Sequence, residues 1–521
     1  MIFSTAPARP APVAAGRIAA MCGCSWQRAA DMLCGIDLGT SALKCGLFDP
    51  DGRRLGIGKA AVGLYKGDAA GEAYAEPLEW AKAAALAIGE AMRQTGKGPS
   101  AIEAIAISGN GPTLVAVGAD GLPLGRALSW MDRSALNQAG RIATRMGRPI
   151  DPSFYLPKAL KLFEEGEQGG AQPVRFFSAP EYLAFLFGAD PVSYLPDPYY
   201  ERFIWDLESA AAMGLNAGLF PPYVRQGQRI GSVSVQSADA FGLAAGTPIV
   251  AGFPDFLAAL VGSGSTRPGI ACDRSGSSEA LNLCAQAPFK DERLFSLPHA
   301  LPGLWNQSGG LSTSGKALEW FSQIAAYAGT RGATLFQDFQ DAEPGAGGAL
   351  FLPYLAGERA PLWQPELKGA FLGLSLGQGR KDLARAVVEA LAYGLRLVSD
   401  IMSEDGAGPE LIRCSGGQAH NEALCALKAD VLGIAVELPD TPESETLGNA
   451  CAAACALGYY PDLESASIAM VRVKRRFEPD PGLRELYDEG YGRWKKGLDL
   501  ALLTGGAAQT FSGAARPTAE R

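Results

Sequence analysis

Two carboxylates stand in surroundings where chemistry is expected. Asp37 closes the apolar run of MLCGIDLGTSALKCGLFDPDG and is followed at once by Gly39-Thr40-Ser41. A carboxylate shielded from water at a strand end is costly unless it is paired or holds a cation. No cationic side chain lies within five residues of it, and Lys44 falls on the returning strand. A Gly-Thr-Ser turn can aim backbone N–H groups and hydroxyls at phosphate oxygens, and Mg2+ at Asp37 bridging those phosphates would complete the site. An Asx turn closing a hairpin explains the same residues with no ligand, so this stretch leaves the two readings level. The second carboxylate, Asp255, follows Pro254 in AGFPDFLAALVGSG and precedes a helical run. It suits a helix N-cap. It also suits a general base toward a substrate hydroxyl in a cleft.

Weaker signals accompany these. IRCSGGQAHNEALCALKADVLGIAVEL reads as strand, Gly416-Gly417, helix, strand, and glycines at such a turn let a ligand approach the backbone. No GxGxxG opens that helix, and no GxxxxGK[ST] occurs anywhere, which excludes a P-loop enzyme. LSWMDRSA gathers Trp130, Asp132 and Arg133, an aromatic face with an acid and a base that suits a polyhydroxylated substrate. A strand end with a surface ion pair fits those three residues equally well.

Elements must bring these residues together. Leu33 to Leu38 and Ala42 to Phe48 read as strands. The turn signal Asp49-Pro50-Asp51-Gly52 returns the chain through Arg53 to Val62, which predicts a β-meander. Glu76 to Gln94 has helical spacing, with Pro77 in its first turn. Strands and helices then alternate to the end, giving an α/β class with an antiparallel portion. IDLGTSALKCGLF is echoed by DRSGSSEALNLCA at Asp273 to Ala285. The echo predicts two halves with related hairpins facing a cleft, divided near the GSGSTRPG of Gly262 to Gly269.

The totals bound the reading. The chain has 521 residues, of which 47% are apolar and 19% charged, with a net charge of −9. That charge argues against a nucleic-acid footprint and requires a local arrangement to hold any anionic ligand. Ten cysteines occur without a CxxC pair, and there are two histidines, His299 and His420. This predicts reduced thiols in a cytoplasmic protein rather than a disulfide framework or a zinc site. No apolar stretch reaches the length needed to span a bilayer. Residues 1–31 lack an apolar signal core and read as a disordered leader or a start-site artefact, with the functional chain opening near Met32. Residues 503–521 read as a flexible tail.

Taken in order from Met32 to about Leu500, these segments resemble the FGGY carbohydrate kinases, the family of xylulokinase, gluconokinase and glycerol kinase. GIDLGTSALKCGLFDPDG is similar to that family's first phosphate motif, and RSGSSEALN to its second. ISGNGPTLVAVGADGLPLGRALSWMDRSA is similar to the sugar-site region, and AGFPDFLAALVGSG to the segment bearing the catalytic Asp. FLPYLAGERAPLWQPELKGAFLGLSLGQGRKDLARAVVEALAYGLR carries the most specific likeness, and SGGQAHNEALCALKADVLGIAV with ESETLGNACAAACALG resembles the adenosine-site region.

The resemblance implies two ribonuclease-H-like, actin-like ATPase domains, 32–265 on the sugar side and 266–502 on the nucleotide side, with ATP in the cleft between them. It implies Asp255 as the base, with Asp37 and Asp255 near Mg2+. Thr40, Ser41 and Lys44 would surround the transferred phosphoryl group. Gly276, Ser277 and Ser278 would contact ATP phosphates, and Gly315, Gly416, Gly417, Gln418 and Asn421 would flank the adenosine. Asn110, Trp130, Asp132, Arg133 and Asp197 would meet a sugar or polyol. Homodimers are common in the family.

The chain also departs from the family pattern. Asn110-Gly111-Pro112-Thr113 stands where xylulokinase-like members carry a Gln-Met-His-Gly run, so the sugar-contacting His is missing. Tyr199 and Tyr200 replace small residues beside Asp197, and Arg274-Ser275 precedes Gly276. The expectation is an active kinase whose acceptor is not plain xylulose. A non-catalytic relative that signals by hinge closure is the alternative. An actin- or chaperone-like ATPase shares the cleft logic but leaves the long central likeness unexplained.

Overall fold

The apolar run Met32–Leu38 becomes β1, and all seven of its side chains are buried. A strand covered on both faces has no exposed side to make polar, which is why its sequence does not alternate. The computed structural model describes residues 32–512 apart from 70, 169, 291, 326–332, 405 and 407, with backbone alone at 333 and 504–512. The expected leader, 1–31, lies outside the described residues.

β2 (Ala42–Phe48) and β3 (Arg54–Ala61) complete the expected meander, each antiparallel to its predecessor. Asp49 closes the turn between them by accepting the Gly52 N–H at 2.9 Å. Helix α1 (Pro77–Thr95) has Pro at its start, where a missing N–H costs nothing. β4 (Ile102–Gly109) runs parallel to β1, and β5 (Arg229–Ser232) and β6 (Pro248–Pro254) extend the sheet in the order β5-β6-β4-β1-β2-β3. Helix α2 (Asp255–Ser263) leaves directly from the end of β6. A second, smaller sheet of the short strands 65–66, 73–75, 127–128, 114–117 and 175–178 stands beside this one and carries the turn to Trp130.

The second half repeats the plan. β7 (Ile270–Ser275), β8 (Glu279–Ala285), β9 (Phe295–Pro298) and β10 (Trp305–Leu311) form an antiparallel set. After α3 (Gly315–Ile324) and α4 (Arg380–Ser403), β11 (Leu411–Gly416) pairs parallel with β7. Helix α5 (Glu422–Leu432) leads to β12 (Val436–Pro439), α6 (Ser444–Ala456), β13 (Val473–Phe477) and α7 (Arg484–Ser512). The sheet order is β9-β10-β8-β7-β11-β12-β13. Its core, β10-β8-β7-β11-β12, matches β3-β2-β1-β4-β6 strand for strand, including which pairs are parallel. The weak sequence echo therefore marks structurally equivalent hairpins. Helix α7 continues to Ser512, into the stretch expected to be loose, because a helix already nucleated propagates cheaply.

Helices α2 and α6, which follow equivalent strands, pack against each other between the halves. A Cβ on Gly262 would lie 1.8 Å from the Ser444 carbonyl oxygen, and one on Gly448 would lie 2.0 Å from that of Ala258. Only glycine permits so close a backbone approach. Around this contact Leu257, Leu260, Leu447 and Ala450 to Ala454 join Val250 and Phe253 in one buried cluster. The eight described cysteines are free thiols. Among the described residues no helix is long and apolar enough to cross a membrane.

Candidate active site

β1 and β7 end at the same cleft. Asp37, the penultimate residue of β1, is 3% exposed. The Ser108 hydroxyl on β4 donates to its Oδ1 at 2.8 Å, and Asn449 of α6 donates to that hydroxyl and to the Ile36 carbonyl at 2.8 and 2.9 Å. Burial, with Glu445 nearby, pushes the Asp37 carboxyl up to about 7. The Gly39-Thr40-Ser41 turn follows. Gly39 donates to the Ala42 carbonyl at 3.1 Å, Thr40 Oγ1 accepts from the Trp130 indole N–H at 3.0 Å, and Ser41 is exposed.

Asp255 is the first residue of α2 rather than its cap, since Pro254 takes the cap position. Its Oδ1 accepts the Phe256 N–H at 2.6 Å, while Oδ2 lies 3.2 Å from Arg274 Nη2 on β7. Burial raises the Asp255 carboxyl above its usual range; Arg274 opposes the rise and Glu445 adds to it. At its other end α2 is held by Arg413 on β11, which donates to the Ser263 and Gly264 carbonyls at 3.1 and 2.9 Å. Two arginines from the second half thus grip both ends of the helix that bears Asp255, the second where a cation suits the helix dipole.

Glu445, in the first turn of α6, completes the group. Lys44 Nζ lies 3.6 Å from its Oε2, and Arg274 Nη2 lies 4.0 Å from its Oε1. Burial acts to raise Glu445, but Lys44 and Arg274 outweigh it and hold the carboxyl below its usual range. Three carboxylates, Asp37, Asp255 and Glu445, thus face two cations. Glu445 Oε2 and Arg274 Nε are buried with no hydrogen-bond partner. Excess carboxylate charge and oxygen donors fit a hard divalent cation such as Mg2+, which binds through one or two carboxylates plus phosphates and water. Among the described residues no three His, Cys, Asp or Glu side chains form a ready-made metal cage.

On the second half, the β7–β8 turn of Gly276, Ser277 and Ser278 lies against the start of α3. Gly315 donates to the Gly276 carbonyl at 3.1 Å, and Ser314 donates to that of Ser277 at 3.1 Å. Gln418 Nε2 donates to Ser314 Oγ at 2.7 Å, which draws the segment after β11 to the same place. Gly416 has φ +86° and its Cβ would meet the Ser275 carbonyl at 2.1 Å, so this turn requires glycine. Gly417 stands in open space, and Asn421 caps α5 by accepting from Leu424. Behind the turn, Lys428 of α5 lies 2.5 Å from both Asp273 and Glu279, and Ser314 donates to Glu279 at 2.7 Å.

The remaining expected sugar-side residues are engaged in the scaffold. Asn110 donates to the Leu38 carbonyl and accepts from Thr113 at 2.5 Å. Asp132, fully buried, accepts from the Ala73 and Ser134 backbones and from the Ser134 hydroxyl. Arg133 pairs with Asp151 at 2.9 Å on the surface, not with the buried Asp132 beside it in LSWMDRSA. Asp197 caps a short 3-10 helix by accepting from Tyr199 at 2.8 Å. Four residues at the site were not singled out as such: Ser108, Arg274, Glu445 and Asn449. Asn449 and Glu445 sit in an Ala-rich helix, where a buried polar residue is itself a signal. ESETLGNACAAACALG, expected beside the adenosine, reaches Ser108, the donor to Asp37, and Lys44 through these two side chains.

The comparisons agree with this architecture. Residues 32–152 match the N-terminal domain, and residues 274–457 the C-terminal domain, of the FGGY family of carbohydrate kinases. A xylulose kinase of Staphylococcus epidermidis is 28% identical over 495 residues, covering 91% of this chain and 99% of that protein. A glycerol kinase of Citrifermentans bemidjiense is 28% identical over 501 residues, covering 91% of this chain and 99% of that protein. The fold is similar to the crystal structure of a ligand-bound xylulose kinase from Lactobacillus acidophilus, at TM-score 0.78 and 21% identity over 92% of this chain and 99% of that one. The chain belongs to the FGGY family of carbohydrate kinases.

Proposed function

We propose that the protein transfers a phosphoryl group from ATP to a hydroxyl of a sugar or sugar derivative, a ketose, polyol or sugar acid, with Asp255 as the general base. The observation that carries this reading is the meeting of Asp255 and Arg274, from opposite halves, at 3.2 Å beside Asp37 and the two glycine turns. We place the division between the sugar-side and nucleotide-side domains near residue 265, and we assign the protein to the cytoplasm, where free thiols persist.

The parts have separable tasks. Asp255 takes the proton of the acceptor hydroxyl, and a carboxyl raised by burial is a better base than a free one. The Gly39 and Gly276 turns would set the line of transfer, since this chemistry depends mostly on positioning and charge neutralisation. Lys44 neutralises phosphate charge from the first half. Ser108 and Asn449 fix the Asp37 carboxylate. Mg2+ at Asp37 supplies further charge neutralisation when bound. Closure of the halves excludes water and suppresses hydrolysis. The scaffold engagement of Asn110 and the loss of the sugar-contacting His favour an acceptor other than plain xylulose.

The test is an acceptor panel of pentuloses, hexonates, polyols and glycerol with Mg-ATP. The expected result is phosphorylation of at least one acceptor, reduced about 10²–10⁴-fold by Asp255→Asn with folding intact. ATP binding with no phosphorylated acceptor would instead support the hinge-closure relative. That reading draws on the altered sugar-side motif, Asn110-Gly111-Pro112-Thr113, which lacks the sugar-contacting His.

A further inference from the structure

We propose that Arg274 is a second catalytic cation, donating from the C-terminal half to the phosphoryl group in transit. The inference rests on the kinase reading above and adds a residue to it. Arg274 occupies the position in β7 that Asp37 occupies in β1. Both are penultimate residues of the first strand in their sheets, and both lie opposite a serine of the parallel neighbour, Ser108 and Ser415. Strand alternation then points the Arg274 side chain toward the cleft and the adjacent Asp273 away from it, to Lys428.

Three observations give the guanidinium its role. Its Nη2 already spans the cleft to Asp255 Oδ2 at 3.2 Å. Its Nε is buried with no partner, leaving a planar donor available to a further acceptor oxygen. The other cation of the site, Lys44, faces Glu445 from the opposite half, so a phosphoryl group between the halves would lie between two cations. Arginine suits this task because its fork binds phosphate oxygens bidentately. Arg274 also precedes the Gly276–Ser278 turn by two residues, and the buried Lys428–Asp273–Glu279 trio anchors that hairpin from behind.

In the step, the acceptor O–H proton passes to the Asp255 carboxylate. The acceptor oxygen forms a bond to the γ-phosphorus as the bond to the ADP oxygen breaks. Arg274 donates to the non-bridging oxygens of that phosphorus and exchanges no proton.

The experiment compares wild type, Arg274→Met and Arg274→Lys as full chains. Calorimetry measures Mg-AMP-PNP and Mg-ADP binding, and steady-state kinetics measures the acceptor that wild type phosphorylates. Arg274→Met is expected to weaken AMP-PNP at least ~10-fold while leaving ADP within about 2-fold. It is expected to lower kcat by on the order of 100-fold with little change in acceptor KM, and added guanidinium should restore at least ~10-fold. Should Arg274→Met fail to fold, Arg274→Lys carries the test, with AMP-PNP weakened selectively by about 3-fold because the charge remains and the fork is lost. Equal loss of both nucleotides, or unchanged binding of both, overturns the proposal, as does a kcat defect that guanidinium leaves unrepaired. If wild type phosphorylates no acceptor while AMP-PNP alone depends on Arg274, the kinase reading fails and the γ-phosphoryl contact stands.

Discussion

The β1–β2 and β7–β8 hairpins share one backbone plan and carry opposite charges at one equivalent position, Asp37 in the first and Arg274 in the second. In each, a strand ends beside a parallel neighbour bearing Ser-Gly, at Ser108-Gly109 and Ser415-Gly416, and turns on small residues. The first hairpin presents Asp37 and the second presents Arg274. Their supports differ as well. Asp37 is braced by neutral donors, Ser108 and Asn449, whereas the second hairpin rests on a buried ionic trio of Lys428, Asp273 and Glu279. The scaffold is repeated while the side chain at the equivalent position changes sign, a carboxylate in one half and a guanidinium in the other, which we propose serve a metal and a phosphoryl group respectively.

If the supports differ in kind, they should break differently. Lys428→Met leaves two buried carboxylates without their cation and should destabilise the protein by about 3–5 kcal/mol. Removing both carboxylates with Asp273→Asn and Glu279→Gln in the same chain should recover most of that loss in denaturant unfolding. A loss unchanged by the added substitutions would mean that packing, not charge, holds the second hairpin.

The join between the halves offers a pH-dependent test. His299 is buried, its Nε2 bonded to the Ser265 carbonyl at 3.0 Å and its Nδ1 accepting from Leu301 at 3.0 Å. Burial lowers its pKa from 6.5 to about 4. The folded state therefore keeps it neutral while the unfolded state protonates below pH 6.5. Its contribution is complete above that pH and is lost as pH falls toward 4, by up to about 3 kcal/mol. His299→Gln should flatten the stability profile between pH 6.5 and 4, and an unchanged slope would place the acid sensitivity elsewhere.

The smallest effect is expected at the first hairpin. Asn449→Ala removes the donor to Ser108 Oγ and the Ile36 carbonyl and should cost about 1–3 kcal/mol, less than Lys428→Met. A larger cost at Asn449 would reverse the contrast between neutral and ionic supports.

The scaffold was readable where local pattern and tertiary demand coincide. The unbroken apolar run of β1 and the Asp49-Pro50-Asp51-Gly52 turn admit few other solutions, and helix α1 differs from its expected bounds by one residue at each end. Acids in turns were harder to read. Asp132 and Asp197 serve turn and cap hydrogen bonds, and Asx chemistry produces the same local sequence whether or not a ligand is near. Glu445, Asn449 and Lys428 were illegible for another reason. Their partners lie in the other half or on distant strands, and no local spacing encodes that. Arg274 was visible only as a departure from the family pattern.

We propose that one triphosphate is clasped between the two hairpins, with Asp37 on one side and Arg274 on the other. The most direct measurement is a crystal structure of the full chain with Mg-AMP-PNP. The γ-phosphoryl group is expected between the two turns, with Arg274 at hydrogen-bonding distance on one side and the metal at Asp37 on the other. Phosphates directed away from either residue, with Arg274 still paired to Asp255, would contradict it.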